Sequence, residues 1–182
     1  AIYNHQGKNA LCTIAAFNKP ADEKVAHEIV MQIAAMNPIA IDEDGVSEEI
    51  KQKEIQVAID KTKAEQVQKA VEAALKKAGF NLYIAENEEH LNEGVMKGNI
   101  TEAQAEEIRQ LKAKVAEEKA ANLPAAMIEN IAKGRLGKFL KEVCLLKQED
   151  IMDPKKTVAD VLKESDPELK VVDFKRFTLR AE

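Results

Sequence analysis

The chain has 182 residues, 45% of them apolar and only 4% aromatic, with no tryptophan and a formal net charge of −5. That length holds one ordinary core with an appendage and excludes two unrelated full-size domains. Finely mixed charges exclude the long basic arm of a nucleic-acid binder, and the absence of any apolar run near ~18 residues excludes a transmembrane helix. Ala, Val, Ile and Leu must do most of the packing, which favours long helices. Cys12 and Cys144 stand far apart without a CxxC partner, so two small buried thiols in a reducing compartment are expected. With no signal-peptide pattern, the expected location is cytoplasmic. The opening AIYNHQG lacks methionine and already reads as strand, as in a piece of a longer protein.

In chain order, residues 1–3 and 10–17 read as a hairpin joined across the turn formers of residues 4–9. Lys19-Pro20-Ala21-Asp22 opens a helix with Val25, Ile29 and Ile33 on one face, and Asn37-Pro38 stops it. Ser47 is a good N-cap with Glu48 and Glu49 in the first turn, and Val67, Ala70, Ala74, Leu75 and Ala78 keep helical spacing until Gly79. A second helix opens at Thr101 with the capping box TEAQ and carries Ile108, Leu111, Val115, Ile128 and Ile131 on its buried side as far as residue 133. Each helix spans about 32 residues and so about 48 Å. Their match in length, alanine-rich seams and charged outer faces predict an antiparallel coiled coil, a long helical hairpin. Residues 80–100 are too many for a bare loop, and a short helix is expected in ENEEHLNEGVMKG. Residues 136–146 return to helical spacing and the turn QEDIMDP follows. Thr157 caps TVADVLKES, and KVVDFKRFTLR reads as a strand. Its apolar phase shifts between Phe174 and Phe177, which predicts a bulge or burial of both faces.

The segment GRLGKF, residues 134–139, invites a reading as a phosphate loop. Such a loop needs GxxxxGK followed by Ser or Thr between a strand and a helix, because backbone amides cradle the phosphates. Here the spacing is GxxGK followed by Phe with helix on both sides, so Gly134 and Gly137 are expected to allow close packing at a structural junction that includes Arg135 and Phe139. His5, His27 and His90 lack the spacing of a metal site, and no metal or cofactor is expected. No Ser/His/Asp or Cys/His arrangement stands out, so the chain does not read as an enzyme. His5 lies in a turn, where a rigid scaffold presents contacts. Ile151 and Met152, in an acid-bracketed turn closed by Pro154, either meet a partner or pack inward. The two long helices carry seven lysines against six acids, and five basic residues against six acids. That balance favours protein over RNA as a partner.

The ordered series YNHQG, VAHEIVMQIAAMNP, VSEEIKQKEIQVA, IAKGRLGKFLKEVCLL, DPKKTVADVLKE and a closing FKRF strand resembles the C-terminal half of the bacterial elongation factor Ts family. The likeness runs from Ile2 to Phe177 except in the middle of the arm, and IAKGRLGKF and PKKTV are its most specific pieces. It implies an α+β fold with a small three-stranded antiparallel sheet packed on helices and a long protruding antiparallel helical hairpin. Residues 1–46 and 134–182 would form the core subdomain, and 47–133 an inserted coiled-coil arm. It further implies a guanine-nucleotide exchange role toward elongation factor Tu, with the nucleotide held by that partner alone. The turn residues His5, Gln6 and Gly7 and the pair Ile151 and Met152 would make the partner contacts.

Three departures stand beside the likeness. The family's N-terminal helical module and its Thr-Asp-Phe-Val segment are not in this sequence. Gln148-Glu149-Asp150 replaces the family's common Gln-Pro-Phe, and residues 80–100 look like an insertion. Contacts to a distant domain supply affinity, whereas exchange needs preference for the nucleotide-poor partner, so the chain alone is expected to bind well and exchange poorly. The alternative is a structural module whose helical hairpin mediates self-association as a homodimer, with no exchange role.

Overall fold

Strand β1 (Ile2–Asn4) pairs antiparallel with β2 (Leu11–Phe17), and β2 with β3 (Val171–Thr178), in the computed structural model, which describes residues 1–180. Period-2 alternation assigns the faces. Tyr3 lies opposite Thr13 and Thr13 opposite Arg176, and these side chains share the inner face with Ala15 and Phe174. Ile2, Ile14 and Phe177 point the other way and are 74%, 41% and 58% exposed.

The strand irregularity differs in position from the sequence expectation. Ala16 pairs with Asp173 but Phe17 with Val171, so Val172 is the extra residue. Phe174 and Phe177 need no bulge between them, because Phe174 packs inward and Phe177 is simply left in solvent.

Helix α1 (Glu23–Met36) lies on the inner face of the sheet. Asn37 ends it in the left-handed conformation at φ 46°, and Pro38 cannot continue it. Ile29, Val30 and Ile33 are wholly buried with Ala15, Leu145 and Val158. Two side chains of the sheet fasten the helix: Thr13 Oγ1 donates to the Val30 carbonyl at 2.7 Å and Arg176 Nε to the Ala34 carbonyl at 3.3 Å.

Helix α2 (Glu48–Lys77) starts where the Ser47 side chain accepts from Ile50 N–H at 3.2 Å. It is followed by α3 (Glu88–Met96), α4 (Glu102–Ala121), α5 (Ala125–Val143) and α6 (Val158–Ser165). Thr101 with Gln104, and Thr157 with Asp160, form reciprocal capping boxes that satisfy otherwise orphaned backbone N–H groups.

The single helix predicted over 101–133 is not there. The helix breaks at Asn122-Leu123-Pro124, because proline has no N–H to donate and pushes the residue before it out of the helical region. α5 then runs without interruption into the segment predicted as a separate element at 136–146. The two helices of equal length are thus replaced by helices of 30, 20 and 19 residues.

The chain divides into two compact units, Ala1–Glu54 together with the chain from Gly134 onward, and Ile55–Lys133. Beside the α1 core, the first unit holds a second cluster of Ala40, Val46, Phe139, Leu140 and Cys144. The other unit has one small cluster of Leu75, Ala85, Leu91, Ala105 and Ile108, which joins α2, α3 and α4.

Candidate functional site

Two exposed turns of the first unit carry the partner-contact residues expected from the sequence. In the hairpin turn, Asn4 Oδ1 accepts from Asn9 N–H at 3.0 Å, closing the loop. Gln6 and Gly7 both take positive φ, 55° and 64°. Glycine adopts that conformation freely, whereas for Gln6 it is unusual. His5 is exposed, and its Nδ1 lies 3.0 Å from the Tyr3 hydroxyl, with the two rings edge to face at 5.9 Å. Tyr3 also meets His27 of α1 edge-on at 5.6 Å. The His5 ring is therefore positioned by a residue that is itself packed on α1. His5 and Gln6 line a cleft of about 380 Å³ whose other polar groups include Lys8, Arg176 and Arg180.

The second turn, between α5 and α6, is held from below by two buried amides. Gln32 of α1 is wholly buried, and its Oε1 accepts from Ile151 N–H at 2.9 Å while its Nε2 donates to the Glu149 carbonyl at 3.0 Å. Gln148, 1% exposed, donates from Nε2 to the Glu142 carbonyl at 2.7 Å and receives a 3.3 Å bond from Gln32. Backbone bonds from Asp150 N–H to the Lys156 carbonyl and from Val158 N–H to the Gln148 carbonyl complete the turn. On this frame Ile151 is half-buried and Met152 is 63% exposed. The open choice between inward packing and display thus divides between the two residues.

Both turns are anchored to α1, one through Tyr3 and His27, the other through Gln32. The glutamines were missed in the sequence. Their signal was Gln32 at the core phase of α1, three residues after Ile29 and one before Ile33, where a polar group must find buried partners.

GRLGKF lies inside α5, with no strand before it and no loop. The close-packing role expected of its glycines is overturned: a Cβ at Gly134 or Gly137 would meet no atom within 4 Å, and both residues are exposed. Arg135 faces carboxylates rather than free space. Its Nη2 donates to Glu54 Oε2 at 2.9 Å, Nη1 lies 3.8 Å from Glu142, and its guanidinium sits 5.7 Å from the Phe139 ring centre. Phe139 is buried against Ala40 and Cys144.

Of the two cysteines, Cys144 is fully buried, and burial pushes its thiol above the usual range, helped by Asp42 and Glu43 against the opposing pull of Lys147. Cys12 is only half-buried, unlike the expectation, because it sits on the outer sheet face opposite Phe177. Among the described residues no group of three or more His, Cys, Asp and Glu side chains could hold a metal ion, and no helix is long and apolar enough to cross a membrane.

A sheet backed by one helix, with polar and apolar side chains set on two braced turns, defines a small α+β module with two exposed turns. The family model described as elongation factor TS matches residues 1–108 and 85–181. Elongation factor Ts of Bacteroides fragilis is 66% identical over 182 residues, covering all of this chain and 55% of that protein. That of Parabacteroides distasonis is 68% identical over 181 residues with the same coverage, and that of Flavobacterium psychrophilum 32% identical over 179 residues, 97% of this chain and 44% of that protein. The chain belongs to the elongation factor Ts family and spans about half the length of the curated relatives it matches.

Proposed function

We propose that the chain is the C-terminal part of a translation elongation factor Ts, which binds elongation factor Tu and supports its exchange of GDP for GTP. Membership of the family along the whole chain carries this reading. In it, residues 1–46 and 134–182 are the partner-binding core and 47–133 an inserted helical arm. His5, Gln6 and Gly7 contact the partner from one turn, and Ile151 and Met152 from the other. The nucleotide belongs to the partner, and the chain acts by binding rather than by bond-making chemistry.

The physical argument is one of linkage. A factor speeds nucleotide loss only if it binds the nucleotide-poor partner more tightly than the loaded one, and a contact made equally in both states shifts nothing. In this reading the two turns supply affinity and orientation, and the preference between the nucleotide states comes from contacts other than these turns. Two measurements test the reading: calorimetric binding to purified elongation factor Tu, and release of a fluorescent GDP analogue from it. Binding that is weakened by His5→Ala and Met152→Ala is expected, with release accelerated less than by a full-length factor. Release matching the full-length factor would sink the division of labour, and absence of binding would sink the reading itself.

A second reading is self-association through the outer face of the sheet, favoured by the exposure of Ile2 and Phe177. A concentration-dependent elution volume on a sizing column, unchanged by Met152→Ala, is its signature.

A further inference from the structure

A pocket of about 400 Å³ opens beside Met152, lined by α1, α6 and the turn between α5 and α6. Val25, Met152 and Val161 give it apolar walls. Its charged lining is one-sided: Asp22, Glu28, Asp150, Asp153 and Glu164 against Lys24 and Lys156, five carboxylates to two ammonium groups and so a surplus of three negative charges. Lys156 is already committed to Glu164, with Nζ 2.7 Å from Oε2.

Asp150 distinguishes this pocket from an ordinary acidic surface. The residue is 3% exposed, and its Oδ2 accepts from Asp153 N–H at 3.0 Å. Its Oδ1 is buried and accepts no hydrogen bond among the described residues. A carboxylate oxygen withdrawn from water without a donor is unfavourable, and the cost falls when a charged donor arrives. The aliphatic stem of lysine or arginine lies well along apolar walls while its head reaches a carboxylate.

We infer that the pocket receives a basic side chain of elongation factor Tu, with Asp150 as the buried acceptor and Met152 packed along the stem. The inference rests on the partner reading given above and adds the chemistry by which that partner is recognised. Charge complementarity commits the site to a cationic occupant. It also assigns a role to Asp150, whose buried oxygen has no donor among the described residues.

The test is calorimetric titration of the full chain with purified elongation factor Tu at low and high salt. Asp150→Asn keeps an acceptor for Asp153 N–H and removes the charge, so its melting temperature should hold. Its Kd should rise about tenfold at low salt, as expected for loss of a charge-assisted contact. The salt dependence of binding should flatten. Glu28→Gln, on the pocket wall and outside the turn's hydrogen-bond frame, should raise Kd about threefold through the weakened field. Should Asp150→Asn fail to fold, Glu28→Gln and Asp22→Asn decide the matter, and unchanged Kd in both overturns the inference. A folded Asp150→Asn chain that binds within about twofold of the unaltered one overturns the pocket and leaves the partner reading standing. An unaltered chain that does not bind at all overturns both.

Discussion

Around α1, residues such as Ile29, Ile33 and Leu145 lose all contact with water, whereas no residue between Lys51 and Leu75, or between Ile108 and Phe139, is fully buried. The first unit is fixed by close packing among elements distant in sequence. The second relies on helical backbone bonds and half-covered side chains along much of its length, with one small cluster that joins α2, α3 and α4. Stability in such a molecule is unevenly distributed, and local opening should be easier where burial is partial.

The sharpest way to break that contrast is truncation in each unit. Ile33→Ala, at a wholly buried position, should cost about 2–5 kcal/mol. Ile59→Ala, at a half-buried position of α2, should cost about 1 kcal/mol or less. Denaturant unfolding of the two variants checks this, and equal losses would erase the distinction. A smaller effect, of opposite sign, is expected in α5. Because a Cβ at Gly134 or Gly137 meets open space, Gly134→Ala and Gly137→Ala should each stabilise the chain by about 0.5–1 kcal/mol, read as a rise in melting temperature. A fall instead would restore the close-packing role removed above.

The smallest effect concerns acid. Asp166 is held below the usual carboxyl range chiefly by its hydrogen bond to Lys19, and Asp160 by the backbone and side chain of Thr157. A carboxyl depressed on folding contributes stability that is complete above its unfolded value of about 3.9 and disappears as pH falls through the folded one. Lys19→Met should therefore move the acid-unfolding midpoint, followed by circular dichroism, slightly upward. No movement would mean that the pair is too solvated to matter.

Much of this was legible because local chemistry determined it. Thr101 with Gln104, Thr157 with Asp160, and Asn37 before Pro38 mark helix ends through bonds made within a few residues. The α+β class and the three-stranded sheet followed from the resemblance, and the structure bears them out. What escaped depended on other things. Pro124 was outweighed by the apolar spacing on either side of it, although its missing N–H decides the break. Gly134 and Gly137 were assigned a tertiary neighbour that the helix face does not provide. Gln32 and Gln148 acquire meaning only from partners up to 119 residues away, which spacing along one segment cannot reveal.

The frame under Met152 joins residue 32 to residues 148–151, and β2 finds β3 only after residue 171 has been synthesised. Closing so long a loop is entropically unfavourable until both ends are present, and non-local pairing of this kind slows folding. Residues 55–133 emerge between the two ends and can fold first on local helical contacts, which shortens the effective span to be closed. The braced turn that carries Ile151 and Met152 is then a late product of folding, completed only when residue 32 and residues 148–151 are both in place.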